Sequence, residues 1–174
     1  SSAITIGSGI PNTHMSVATN CNGMEVGLSV VERFTGSILP SGSVYTTFIG
    51  NSPTSGTNPA PAAGLARWNY VMSVDLGAFD FSQVHVYLDQ DRDPASGPPV
   101  AWSTVDVSAY LQSIGQQGLH KTQDSQNPGS AFWSAAPCSF PAFDPSVPGT
   151  SDMRVRLESS LTGVSMMSVP STGV

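Results

Sequence analysis

Three aspartates at alternate positions, Asp89, Asp91 and Asp93 in the stretch YLDQDRDPASG, come closest by type and spacing to a chemical site. Carboxylates spaced in this way can converge on a hard cation such as calcium, which takes its ligands from oxygen. The EF-hand arrangement fails, because Pro94 stands where that loop needs Gly and Val100 where it needs Glu. Two readings stay open: a looser calcium site, and the plainer one in which the carboxylates solvate a turn with Arg92 among them. The plainer reading is preferred, so no metal or cofactor is expected, with calcium as the alternative.

Nucleophilic catalysis would need a positioned nucleophile beside a base. Ser, His and Asp all occur, but no G-x-S-x-G elbow does, and in a Ser-rich chain their mere presence carries no information. His14, His85 and His120 show no H-x-H, H-x-x-x-H or H-E-x-x-H spacing, so no histidine metal site is indicated. The expectation is a protein that is not an enzyme. The aromatics Trp68, Trp102, Trp133, Tyr45, Tyr70 and Tyr87 could stack on sugars. Trp68 and Tyr70 alternate with apolar neighbours and read as core, whereas Tyr87 lies opposite Val86 and Leu88 and is the ligand-stacking candidate, with extracellular polysaccharide as its partner.

Two cysteines, Cys21 and Cys138, stand far apart and outside any metal-type or redox-type pair. In a chain rich in Ser, Thr and Gly, such a pair suggests a structural disulfide formed outside the cytoplasm. The alternative is two unrelated buried thiols.

Composition narrows the class further. Charged residues are only 10% of the 174, while 27 Ser, 13 Thr, 17 Gly and 14 Pro supply a surface of hydroxyls, amides and turns. Six Lys+Arg against twelve Asp+Glu give a net charge of −6 and leave no basic patch for phosphates, which excludes nucleic acid as a partner. No run of eighteen apolar residues exists, so no membrane-spanning helix is expected. The start at Ser1, without Met or a basic and apolar leader, favours processing or trimming.

The elements that must position these residues are strands. Over residues 66–76 the even positions read Ala66, Trp68, Tyr70, Met72, Val74 and Leu76, against Arg67, Asn69, Val71, Ser73 and Asp75. Met24, Val26, Leu28 and Val30 form a second alternating run, Val84, Val86 and Leu88 a third, and Met153, Val155 and Leu157 a fourth. Each predicts a strand with one dry and one wet face. Further strands are expected over 3–6, 15–19, 43–49, 100–105, 131–133 and 164–169. One short helix is expected after Asp106, through Val107, Tyr110 and Leu111 to a stop at Gly115. Together these predict one domain over 1–174, an all-β antiparallel sandwich, Ig-like or jelly-roll-like, with a long Pro/Ser/Gly-rich surface loop over 50–64 and a tail over 170–174.

Sparse charge also leaves sheet edges without their usual protection against pairing with other chains. Ala3, Ile4, Thr5 and Ile6, followed by Gly7-Ser8-Gly9, read as a short strand on a hinge that could complete a neighbour's sheet. The alternative is pairing within its own domain.

The stretches GIPNTHMSVATN, GMEVGLSVVERFTG, SPTSGTNPAPAAGLARWNYVMSVDLG, QDSQNPGSAFW and FDPSVPGTSDMRVRLES resemble secreted bacterial proteins of unassigned function of the PEP-CTERM, exosortase-sorted type. The likeness covers roughly residues 7–169 and rests on turn and strand signatures, so it implies export and a β domain but no reaction. The sorting tail of that group, Pro-Glu-Pro with a hydrophobic span and a basic end, is not in this sequence. The expectation is therefore an extracellular or cell-surface protein, structural or adhesive, acting by self-assembly as a homo-oligomer or filament of a matrix. A carbohydrate-binding module, calcium-assisted or not, is the alternative.

Overall fold

The computed structural model describes residues 14–20, 22–52, 64–91, 102–114, 121–129, 143–160 and 165–171, and structural statements below concern those. The four alternating runs become β2 (Glu25–Glu32), β4 (Trp68–Asp75), β5 (Val84–Asp91) and β8 (Asp152–Ser159), and the strands expected over 15–19, 100–105 and 164–169 become β1 (Ser16–Thr19), β6 (Ser103–Asp106) and β9 (Ser165–Ser171). Two further strands, β3 (Gly36–Ser37) and β7 (Lys121–Gln126), carry no apolar alternation, and one helix, α1, spans Ser108–Ile114.

The strands make two antiparallel sheets. The first has the order β1-β2-β4-β7, with β3 also on β2, and the second the order β6-β5-β8-β9. This is the all-β, sandwich-like architecture expected, with its single short helix. Between the sheets lie Val26, Leu28 and Val30 of β2, the even residues Trp68 to Val74 of β4, and Val86, Leu88, Val155 and Leu157 of the second sheet. Trp68 is T-stacked on Tyr70 at 4.8 Å and on Phe143 at 5.7 Å, so the two aromatics assigned to the core are there.

One expectation about the first sheet is overturned. Its outer face is dry along β2 and β4: Ser29, Val31, Val71 and Ser73 are all buried. Gly27 belongs to this face because the Met15 thioether occupies the space a side chain there would fill.

The turns explain several glycines and asparagines. Asn20 Oδ1 accepts from the Asn22 and Met24 amides, which sets the β1–β2 hairpin. Gly77, after β4, has φ +62°, and a Cβ there would lie 2.9 Å from the Asn22 carbonyl oxygen, so both conformation and space require glycine. Asn127 ties the start of β4 to the end of β7, its Nδ2 donating to the carbonyls of Ala66 and Trp68 and its Oδ1 accepting from the Ala66 amide. At the helix start Asp106 Oδ1 accepts from the Ser108 amide at 2.9 Å, the cap anticipated.

Three boundaries differ from expectation. Residues 43–49 are not a strand: after an isolated bridge between Ser41 and Val44, the buried Tyr45 anchors the segment through its hydroxyl, which donates to the His14 carbonyl at 2.7 Å. The segment beyond it leaves Phe48 and Ile49 in solvent. The tail does not begin at 170, since Pro170 and Ser171 continue β9 opposite Arg154 and Met153; proline is tolerated because β9 is an edge strand. The 50–64 loop is closed at its base by the Asn51–Ala66 bridge and by the Ser52 amide on the Leu65 carbonyl, while 53–63 lie outside the described residues.

Candidate functional site

Alternation along β5 sends Val84, Val86, Leu88 and Gln90 inward and His85, Tyr87, Asp89 and Asp91 outward. Register then decides what meets on the outer face. Asp89 stands between Arg154 of β8 and Thr104 of β6, Tyr87 between Arg156 and Asp106, and Asp91 opposite Asp152. The arginines are the even-numbered positions between Met153, Val155 and Leu157, so β8 presents them on the same side.

Asp89 is the centre of this face and is fully buried beneath the longer side chains. Its Oδ1 accepts from the Thr104 hydroxyl at 2.7 Å, and its Oδ2 from Arg154 Nε at 2.8 Å, Arg154 Nη2 at 2.7 Å and Arg156 Nε at 3.2 Å. Burial works against its ionisation, but the bonds from Thr104, Arg156 and Arg154 and the Arg156 charge outweigh it and hold the carboxyl below the usual range. Conversely, burial disfavours the Arg156 charge, while Asp89 and Glu158 more than restore it.

This corrects the sequence reading of Asp89, Asp91 and Asp93. Asp89 does not solvate a turn: β5 runs on through Asp91, and four hydrogen bonds from protein donors use the carboxylate that a cation would need. The sequence showed an acidic cluster and missed that the charge partners arrive sixty-odd residues later on a neighbouring strand. Asp93 lies outside the described residues, as do Cys21, Cys138, Ala3, Ile4, Thr5 and Ile6.

Two aromatic rings complete the face. Arg156 sits over the Tyr87 ring at 4.6 Å and also donates to Glu158, while Arg154 reaches across β5 to the Trp102 ring at 4.7 Å. Tyr87 and Trp102 are each half-buried. Burial raises the Tyr87 phenol above its ordinary value, with Asp106 and Glu158 adding to this and Arg156 opposing it. His85 Nδ1 lies 2.8 Å from Asp106 Oδ2. Among the described residues no serine or cysteine is bonded to His85.

A second feature occupies the end of the sandwich where β2 finishes and β4 begins. Phe34, Phe48, Ile49 and Val147 are exposed at 58%, 65%, 58% and 52%. Arg33 stacks on Phe34 and Arg67 on Phe48, each at 5.1 Å, and the Arg33 amide donates to the Arg67 carbonyl at 2.7 Å, which joins the two stacks. The Gly50 amide donates to the Pro145 carbonyl at 2.6 Å and brings the Val147 loop alongside Ile49. Phe34 itself has φ +64°, a conformation a bulky side chain rarely adopts.

No family model matches the chain, and neither does any curated protein or solved structure.

Proposed function

We propose that this is an extracytoplasmic structural or adhesive protein of a cell surface or matrix, working by self-assembly and not by turnover. Each copy docks the apolar, arginine-bearing end of its sandwich on the opposite end of a second copy. The observation that carries this reading is the patch of Phe34, Phe48, Ile49 and Val147, each more than half exposed. Isolated exposed apolar side chains are ordinary, but a contiguous group rimmed by polar residues marks an interaction surface. The left-handed backbone at Phe34 supports it, because strain of this kind persists where a side chain is held for a purpose.

Charge is compatible with a copy of the same chain as the occupant. Arg67 is paired with Glu32 at 3.1 Å, whereas Arg33 has no carboxylate partner among the described residues. The opposite end of the same strands carries Glu25, Asp75 and, in the following loop, Asp80, with Lys121 opposite Asp75, so carboxylates outnumber the one cation there. Asp91 and Asp152 lie at the arginine end on the second sheet, so the attraction is local to the arginine–aromatic stacks and does not extend over that whole end. A contact between unlike ends is heterologous, and its repetition builds an open filament. Export is supported by the low charge, the distant cysteine pair and the resemblance to exosortase-sorted proteins.

Sedimentation velocity over a wide concentration range, with electron microscopy of the same samples, tests this. The wild-type chain is expected to form oligomers or filaments. Phe48→Ser/Ile49→Ser is expected to remain folded and to weaken association by about 100-fold or more, from roughly 1.5–3 kcal/mol per buried side chain. Deleting residues 1–9 distinguishes end-to-end docking, which survives, from strand exchange by Ala3, Ile4, Thr5 and Ile6, which does not. A wild-type chain that stays monomeric at the highest concentration refutes the reading.

A further inference from the structure

We propose that the outer face of the second sheet binds a neutral, hydroxyl-rich polysaccharide, with Tyr87 and Trp102 as stacking surfaces and Arg154 and Arg156 as hydrogen-bond donors. The site is separate from the apolar end and stands whether or not the chain assembles.

The case begins with donors left over. Arg154 uses Nε and Nη2 on Asp89, and Arg156 uses Nε on Asp89 and Nη1 on Glu158. A guanidinium carries five N–H groups, so Nη1 of Arg154 and Nη2 of Arg156 keep donors that no described residue takes up. Both side chains remain partly in solvent, at 29% and 18%, while the carboxylate that holds them is buried. Their stems are thus fixed before any ligand arrives, which removes part of the ordering cost of binding. Tyr87 and Trp102 each stay partly in solvent while an arginine lies over one part of the ring, and the His85 ring flanks Tyr87 at 5.9 Å, so both rings are held in place with some surface left open.

Spacing indicates a polymer. Trp102 immediately precedes Ser103, which pairs with Gln90, so its backbone lies near the level of Asp91, four residues along β5 from Tyr87, while its ring reaches over Arg154. At the rise of a strand the two backbone positions are about 13 Å apart, a span longer than one sugar ring. Charge indicates that the polymer is neutral. Arg154 and Arg156 are balanced by Asp89 and Glu158, Asp106 adds a further carboxylate, and the chain as a whole carries −6, so nothing draws a polyanion to this face. Hydroxyl groups suit these donors, together with the acceptor oxygens of Asp106 and Glu158.

Affinity electrophoresis of the full chain in gels containing galactomannan, hydroxyethylcellulose, dextran or, as the polyanion, alginate tests the proposal. Retardation by at least one of the three neutral polymers is expected, with Trp102→Ala and Tyr87→Ala each weakening it about tenfold and Trp102→Phe largely retaining it. The thermal melt of each variant is compared with wild type. Retardation by alginate alone, by none of the four, or undiminished from wild type in both Trp102→Ala and Tyr87→Ala overturns the assignment.

Discussion

Replacing Asp89 by Asn removes one charge with almost no change of shape, and the structure sets what that removal costs. The carboxylate is fully buried and accepts four hydrogen bonds, three of them from two arginines. Breaking a buried ion pair by removing one partner costs about 3–5 kcal/mol, because the other charge is left uncompensated. Arg154 and Arg156 are 29% and 18% exposed, so water takes up part of what they lose, and the expected loss falls to about 2–4 kcal/mol. The Asn amide can keep its oxygen toward the arginines and turn its Nδ2 to the Thr104 hydroxyl, which accepts as well as donates, so what is lost is the charge. For a chain of this length the melting temperature should fall by roughly 4–16 °C. Urea unfolding should give a lower midpoint with an unchanged slope.

The same carboxyl sets a pH dependence with a definite sign. Its folded pKa is depressed, so its contribution is fully present above the unfolded value, about 3.9, and is lost as pH falls through the folded value. The gap between wild type and Asp89→Asn should therefore be constant from about pH 5 to pH 8 and shrink in acid. A variant carrying Asp89→Leu, Arg154→Met and Arg156→Met should recover most of the loss, because hydrophobic replacement of a whole buried ion cluster is close to neutral. If Asp89→Asn unfolds within about 0.5 kcal/mol of wild type at pH 7, the cluster is solvated and the electrostatic account of this face is wrong.

Other consequences follow from the core and the cysteines. Trp68→Ala should cost about 3–5 kcal/mol in chemical unfolding, since it empties a buried site contacted edge-on by Tyr70 and Phe143; a fully stable variant would remove Trp68 from the core. Cys21 and Cys138 should resist alkylation in native material and react after reduction, with a loss of about 4–5 kcal/mol on reduction; two alkylated thiols without reductant would end the disulfide expectation.

The strands that could be read from sequence are those whose neighbours alternate in polarity. Val26, Leu28 and Val30 in β2, the even positions of β4 and the apolar positions of β5 and β8 gave their inward faces directly, because a sheet covering a core imposes period two. β7, written KTQDSQ, has no such period and is held by its backbone ladder to β4 and by Asn127 beyond its end, neither of which has a local signature. Residues 43–49 have the strand composition and lack the strand, since Tyr45 alone supplies the anchor and the hydroxyl bond it makes is to a residue thirty-one positions earlier.

The outer face of the second sheet shows the same limit more sharply. Alternation places Asp89 on the face opposite Leu88, and placed there alone a carboxylate reads as solvated. What buries it is the register of β5 against β8, which sets Asp89 beside Arg154 and Tyr87 beside Arg156. Register follows from the length and course of the connections, and in this chain β5 and β8 are separated by sixty residues that include β6, α1 and β7. Once register is known the chemistry changes kind. Three carboxylates at alternate positions, which invite a cation, become one carboxylate that organises two arginines, each stacked on an aromatic ring. A chain with so few charges commits two of its five arginines to one sheet face, each against an aromatic ring, and so sets charge-assisted donors there.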